Sequence, residues 1–124
     1  ESVSKLGECS FFGCSKLKKV TFFERSKIGE ILSGTFAFSA IESISIPSNR
    51  VCKNCFLSCE KLKAIEFLCD EICIEFFAVV KCYSLSLISF PCAKKISLNY
   101  EGLYELSSDL SIFTIQKTNL IYFK

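Results

Sequence analysis

A ladder of the form L-x-x-I-x-I returns five times along the chain, at Leu17-Val20-Phe22, Ile41-Ile44-Ile46, Leu62-Ile65-Phe67, Leu85-Ile88-Phe90 and Leu110-Phe113-Ile115. Its first positions, Leu17, Ile41, Leu62, Leu85 and Leu110, follow one another at nearly even steps. A period in this range constrains the fold more than any other feature, because a unit of about 23 residues cannot bury its own apolar face. Such units stack on one another, and the stack buries a continuous core.

Flanking columns keep the same phase. A large apolar residue precedes each ladder, as Phe11, Phe36, Phe56, Val79 and Tyr104, and three residues before each ladder stand Cys14, Phe38, Cys59, Cys82 and Ser107. Five residues before the Phe column come Leu6, Ile31, Val51 and Ile74, with Asn99 breaking the series. The second and fifth copies depart most. In the second, Ile28-Gly29 offers an alternative start that needs about three inserted residues.

Each ladder alternates apolar and polar positions, the two-residue period of a strand with one buried face. The Phe-x-x-Cys segment ahead of it is too short for a regular helix and is expected to form one helical turn with its ring inward. Cys14, Cys59 and Cys82 are expected to be buried as small apolar groups. The side chains between ladder residues point away from the core. They form one outward column of Lys19, Ser43, Ala64, Leu87 and Ile112 and another of Thr21, Ser45, Glu66, Ser89 and Thr114. In a solenoid such a sheet face is the extended binding surface, so these ten residues are the candidate partner-binding face.

Totals exclude several alternatives. Half of the 124 residues are hydrophobic, with 13 Phe, which is far from a disordered composition. The net charge of +2 is too small to draw nucleic acid or an anionic membrane over distance. The longest stretch free of charge, Cys82 to Ala93, falls well short of the ~20 residues that a membrane helix needs, so no direct membrane insertion is expected.

Chemistry finds little material. There is no His, the commonest general base. Gly29 and Gly34 have the spacing of a phosphate loop, but Thr35 and Phe36 stand where Lys and Ser or Thr are required. Asp70, Glu71 and Glu75 read as a solvated turn. Lys16, Lys18, Lys19, Arg25 and Lys27 are interrupted by Glu24, with no interleaved aromatic for base stacking. Cys52-x-x-Cys55 followed by Cys69-x-x-x-Cys73 approximates a four-thiolate zinc site, and a small zinc module is kept as an alternative. Nine Cys is an odd number, and Cys69 and Cys92, one period apart, share a column in which a disulfide is sterically possible.

The segments SKLGECSFFGCSKLKKVTF and KCYSLSLISFP resemble the BspA-like class of leucine-rich repeats, whose unit reads approximately V-x-x-I-G-x-x-A-F-x-G-C-x-x-L-x-x-I-x-I-P. Residues 4 to 22 match closely, 51 to 67 and 74 to 91 fairly well, 28 to 47 through AIESISIP, and 96 to 115 only in the ladder. The resemblance implies a solenoid of the surface antigen and adhesin kind, placed at the cell surface or outside it, that meets proteins and host matrix.

The expectation is a single leucine-rich-repeat solenoid domain over 1 to 124, right-handed and mostly β, with one short strand per repeat, helical or 3-10 turns on the far side and about five repeats. It is read as a fragment of a longer array, because Glu1 opens inside a repeat and TNLIYFK starts a fresh apolar cluster, so self-association through uncapped ends is expected. The expected function is non-enzymatic recognition of a protein or extracellular-matrix partner, with no cofactor and no metal. A structural spacer is the other alternative.

Overall fold

The computed structural model describes residues 5–22, 28–99, 101–114 and 119–123. Ile115 of the last ladder, and Glu24, Arg25 and Lys27 of the basic cluster, lie outside the described residues. The chain winds as a β-solenoid of thirteen short strands among these residues. They are β1 (Lys5–Leu6), β2 (Glu30–Ile31), β3 (Ser43–Ile46), β4 (Arg50–Val51), β5 (Phe56–Leu57), β6 (Ala64–Phe67) and β7 (Glu71–Ile74), then β8 (Val79–Val80), β9 (Leu87–Phe90), β10 (Lys95–Asn99), β11 (Leu103–Tyr104), β12 (Ser111–Thr114) and β13 (Asn119–Phe123).

Three parallel sheets run along the stack, in the orders β1-β2-β4-β7-β10-β13, β5-β8-β11 and β3-β6-β9-β12. A complete coil gives one strand to each. The single strand per repeat expected from the ladder is therefore only one of three. The others are visible as alternation too: Ile72 and Ile74 are buried in β7 while Glu71 is exposed, the pattern of the ladder itself.

Register fixes what stacks on what. Leu6, Ile31, Val51, Ile74 and Leu98 pair in succession, which settles the start of the second copy at Ile31. Ile28 is buried and bridges Ser48 instead. The fifth member of this column is Leu98, so Asn99 does not break it. One coil on, Leu103 and not Tyr104 pairs with Val79, and Ser111 pairs with Leu87. All three sheets thus hold the same step across this coil, the one that carries Ile74 to Leu98. Counting back from Leu110 assumes a step longer by one and misplaces the coil, and such a slip in a strand turns every side chain to the other face.

No helix of either expected kind forms among the described residues. The first bonds of a helical turn are present, with Phe12 N–H donating to the Cys9 carbonyl at 3.1 Å and Cys14 N–H to that of Phe11 at 3.2 Å. Left-handed residues stop them from propagating. These occur in pairs of constant internal spacing, one pair to a coil: Cys9 and Gly13, Gly34 and Phe38, Asn54 and Ser58, Phe77 and Lys81, Glu101 and Glu105. A non-glycine residue in this region costs roughly 1–2 kcal/mol. Bonds to the next coil hold it there, as Phe38 N–H to the Leu57 carbonyl and Ser58 N–H to that of Val80, both 2.8 Å.

The core fills the space between the three sheets. Phe11, Phe36 and Phe56 stack with ring centroids 5.5 and 5.4 Å apart, and Phe67 stacks on Phe90 at 5.1 Å. The column immediately after the second left-handed residue of each pair is Cys14, Ser39, Cys59, Cys82 and Leu106. Ser39 belongs in it and Phe38 does not, because Phe38 is the left-handed residue and is thrown outward, 48 % exposed, while Ser39 is buried. Cys59 and Cys82 are fully buried, as expected, whereas Cys14 in the first coil is only half-buried.

Candidate recognition face

The sheet β3-β6-β9-β12 presents its outer positions in columns set by parallel pairing. Lys19 bridges to Ser43, Ser43 pairs with Ala64, Ala64 with Leu87 and Leu87 with Ser111. Beside it Ser45 pairs with Glu66 and Glu66 with Ser89. The structure brings eight of the ten sequence-selected residues to this face: Lys19, Thr21, Ser43, Ser45, Ala64, Glu66, Leu87 and Ser89 together line one shallow depression of about 390 Å³. The expected place of Ile112 and Thr114 in the outward columns is one residue out of phase. They pair with the inward Ile88 and Phe90. Ile112 is nonetheless 58 % exposed, on the edge strand of its sheet.

The surface is mixed in character. Leu87 is an exposed aliphatic at 39 %, Leu68 adds another at the rim, and Lys19 supplies the cation. The Ser45 hydroxyl donates to Glu66 Oε1 at 2.9 Å, which fixes the carboxylate across two coils. The face thus combines hydroxyls, one lysine, one tethered carboxylate and an apolar strip.

The other sequence-flagged groups fall elsewhere and have structural roles. Gly34 is a left-handed turn residue (φ 68), and Thr35 beside it is buried with its hydroxyl donating to the Leu32 and Gly7 carbonyls at 2.6 and 3.1 Å. Glu75 pairs with Arg50 on the six-stranded sheet, and the Asp70 carbonyl accepts from Lys94 and Lys95 N–H. No group of three or more Cys, Asp or Glu is arranged to hold a metal ion among the described residues. Cys55, a member of the possible zinc set, lies inside the core, where burial pushes its thiol well above the ordinary value. Cys92 is an exposed free thiol.

Sequence reasoning missed a set of exposed rings, Phe12, Phe38, Phe76, Tyr83 and Tyr104. Phe38 could have been found, since it stands where the pattern calls for a small buried residue.

With strand columns in place, the family can be decided. The family model for the BspA type leucine-rich repeat region matches residues 1–121 in six copies. The chain belongs to this BspA-type family. Six copies exceed the five counted from ladders by one and equal in number the six strands of the sheet β1-β2-β4-β7-β10-β13. BspA-type repeats here build a solenoid from strands and turns, and no helix of this chain's described residues is long and apolar enough to cross a membrane. No curated protein and no solved structure matches the chain.

Proposed function

We propose that this BspA-type array is a non-enzymatic recognition module that holds a protein or extracellular-matrix partner on the outer face of β3-β6-β9. The observation that carries this is the unbroken column Lys19-Ser43-Ala64-Leu87, in which successive coils each place one side chain on a common depression. A surface assembled this way varies by single outward substitutions while the ladder residues keep the fold, which suits it to recognition. An exposed leucine beside hydroxyls and a lysine provides apolar contact with polar orientation, the composition of a protein-binding patch. The resemblance to surface antigens and adhesins supports a role at or outside the cell surface.

The test is binding to a panel of immobilised purified matrix proteins, comparing the native chain with Leu87→Lys and Ser89→Lys. A partner retained by the native protein and lost by both folded variants supports the face as the site. Undiminished retention moves the site elsewhere, and no retention of any panel member favours a spacer role.

A further inference from the structure

The Phe38 backbone is left-handed, with φ at 58°, yet it carries a bulky ring that is about half exposed. The same column elsewhere holds Gly13, Ser58, Lys81 and Glu105, so the fold does not demand an aromatic there. Glycine would relax the backbone. The ring gains little from packing, since its aromatic contact is a tilted approach to Phe12, itself exposed, at 5.4 Å. The left-handed turn is common to every coil, so it is the exposed ring at this position that points to a role outside folding.

What surrounds the ring narrows that role. Phe38 forms one wall of a depression of about 320 Å³, whose rim carries Ser15, Ser58, Glu60 and Lys61. It lies at the corner between the three-stranded sheet and the ladder sheet, away from the face described above. An open aromatic face with hydroxyls, a carboxylate and an ammonium around it offers stacking for weakly polarised C–H groups together with both acceptors and donors. A purely apolar partner would leave Glu60 and Lys61 without use, and an anionic one would meet Glu60. A neutral pyranose ring satisfies all of them, its C–H face on Phe38 and its hydroxyls on the rim.

We propose that Phe38, with Ser15, Ser58, Glu60 and Lys61, forms a subsite for one neutral sugar residue of a glycan. The size of the depression is at the low end for small-molecule sites, ~300–1,000 Å³, which fits one ring unit. Affinity for a single monosaccharide is on the order of millimolar, as expected for so few atoms.

Saturation-transfer NMR with methyl glucoside, methyl galactoside and N-acetylglucosamine tests this on the whole chain. At least one sugar is expected to receive saturation through its ring C–H protons. Phe38→Gly is expected to melt no lower than the native protein and to weaken binding tenfold or more, while Glu60→Gln weakens it with the ring in place. Absence of transfer to all three sugars overturns the proposal, as does binding that survives Phe38→Gly. Equal binding of cyclohexylmethanol, which has the ring but a single hydroxyl, also overturns it and marks an apolar docking surface instead.

Discussion

The Cys82 thiol donates to the Phe56 carbonyl at 2.9 Å, one coil away, and the Cys59 thiol repeats the contact with Phe36 at 3.0 Å. This pairing accounts for the Phe-x-x-Cys spacing: the ring stacks with neighbouring rings while its carbonyl receives the thiol of the following coil. Cys82→Ala should therefore lose packing and a donor together, at a cost of about 1–3 kcal/mol. Cys82→Ser should cost less, because Ser39 already fills this column and its hydroxyl sits 3.9 Å from Cys59 Sγ. Thermal melts of the two variants check the order.

Buried thiols give the fold a pH dependence. The hydrogen bond with Cys59 and burial push the Cys82 thiol up, and burial does the same to Cys55, from an ordinary value of 9.0. Both stay protonated in the folded chain, so their stabilising contribution is complete below pH 9 and declines as the unfolded chain ionises above it. Unfolding free energies from urea titrations should fall between pH 8.5 and 10.5, the slope for the Cys55 thiol approaching about 1.4 kcal/mol per pH unit only once the unfolded chain is fully ionised. An unchanged midpoint would show that these cysteines reach solvent. Thiol labelling at pH 8 should separate fast Cys9 and Cys92, both exposed, from slow Cys55, Cys59 and Cys82.

Adjacent residues of β9 separate face from core. Leu87 is exposed and Ile88 fully buried. Leu87→Lys should change stability by only ~0.5 kcal/mol. Ile88→Lys buries an unpaired ammonium and should unfold the stack. Circular dichroism melts that fall equally for both would show the strand phase to be misassigned.

The ring stack should be most sensitive at its middle. Phe36, fully buried between Phe11 and Phe56, is expected to cost ~3–5 kcal/mol on replacement by Ala. Phe11→Ala should cost less, since Phe11 is only half-buried. Equal losses from the two would count against a continuous stack.

How much of this is legible depends on where the repeat is anchored. The ladder yields the period and the strand faces of β3, β6 and β9, because apolar alternation there follows directly from burial. Its offset from the preceding cysteine column varies, with Ser39 two residues before Ile41 but Cys59 three before Leu62. Counting backward from the ladder therefore puts Phe38 for Ser39, Tyr104 for Leu103 and Asn99 for Leu98. The spans Leu6–Cys14, Ile31–Ser39, Val51–Cys59 and Ile74–Cys82 all hold one spacing, and they are the better anchor. The turn conformation is hidden for another reason. Left-handed positions are readable when they hold Gly13 or Gly34, but Cys9, Phe77 and Glu101 give no sign of theirs. The ring of Phe38 is legible only as an irregularity, since nothing in a single sequence distinguishes an outward aromatic from a degenerate core position.

The paired left-handed residues have one more implication, for how such a chain can change over time. The step from one pair to the next is shortest between Gly34 and Asn54 and longest between Cys9 and Gly34, yet every pair keeps the same internal spacing. Insertions and deletions are therefore absorbed mostly between the ladder sheet and the next pair, with one residue dropped between Phe38 and Ser43, while each bracket resets the winding before an error can spread. Whole loops there can be lengthened or trimmed without retuning the neighbours, so the array tolerates editing in length as readily as in surface chemistry.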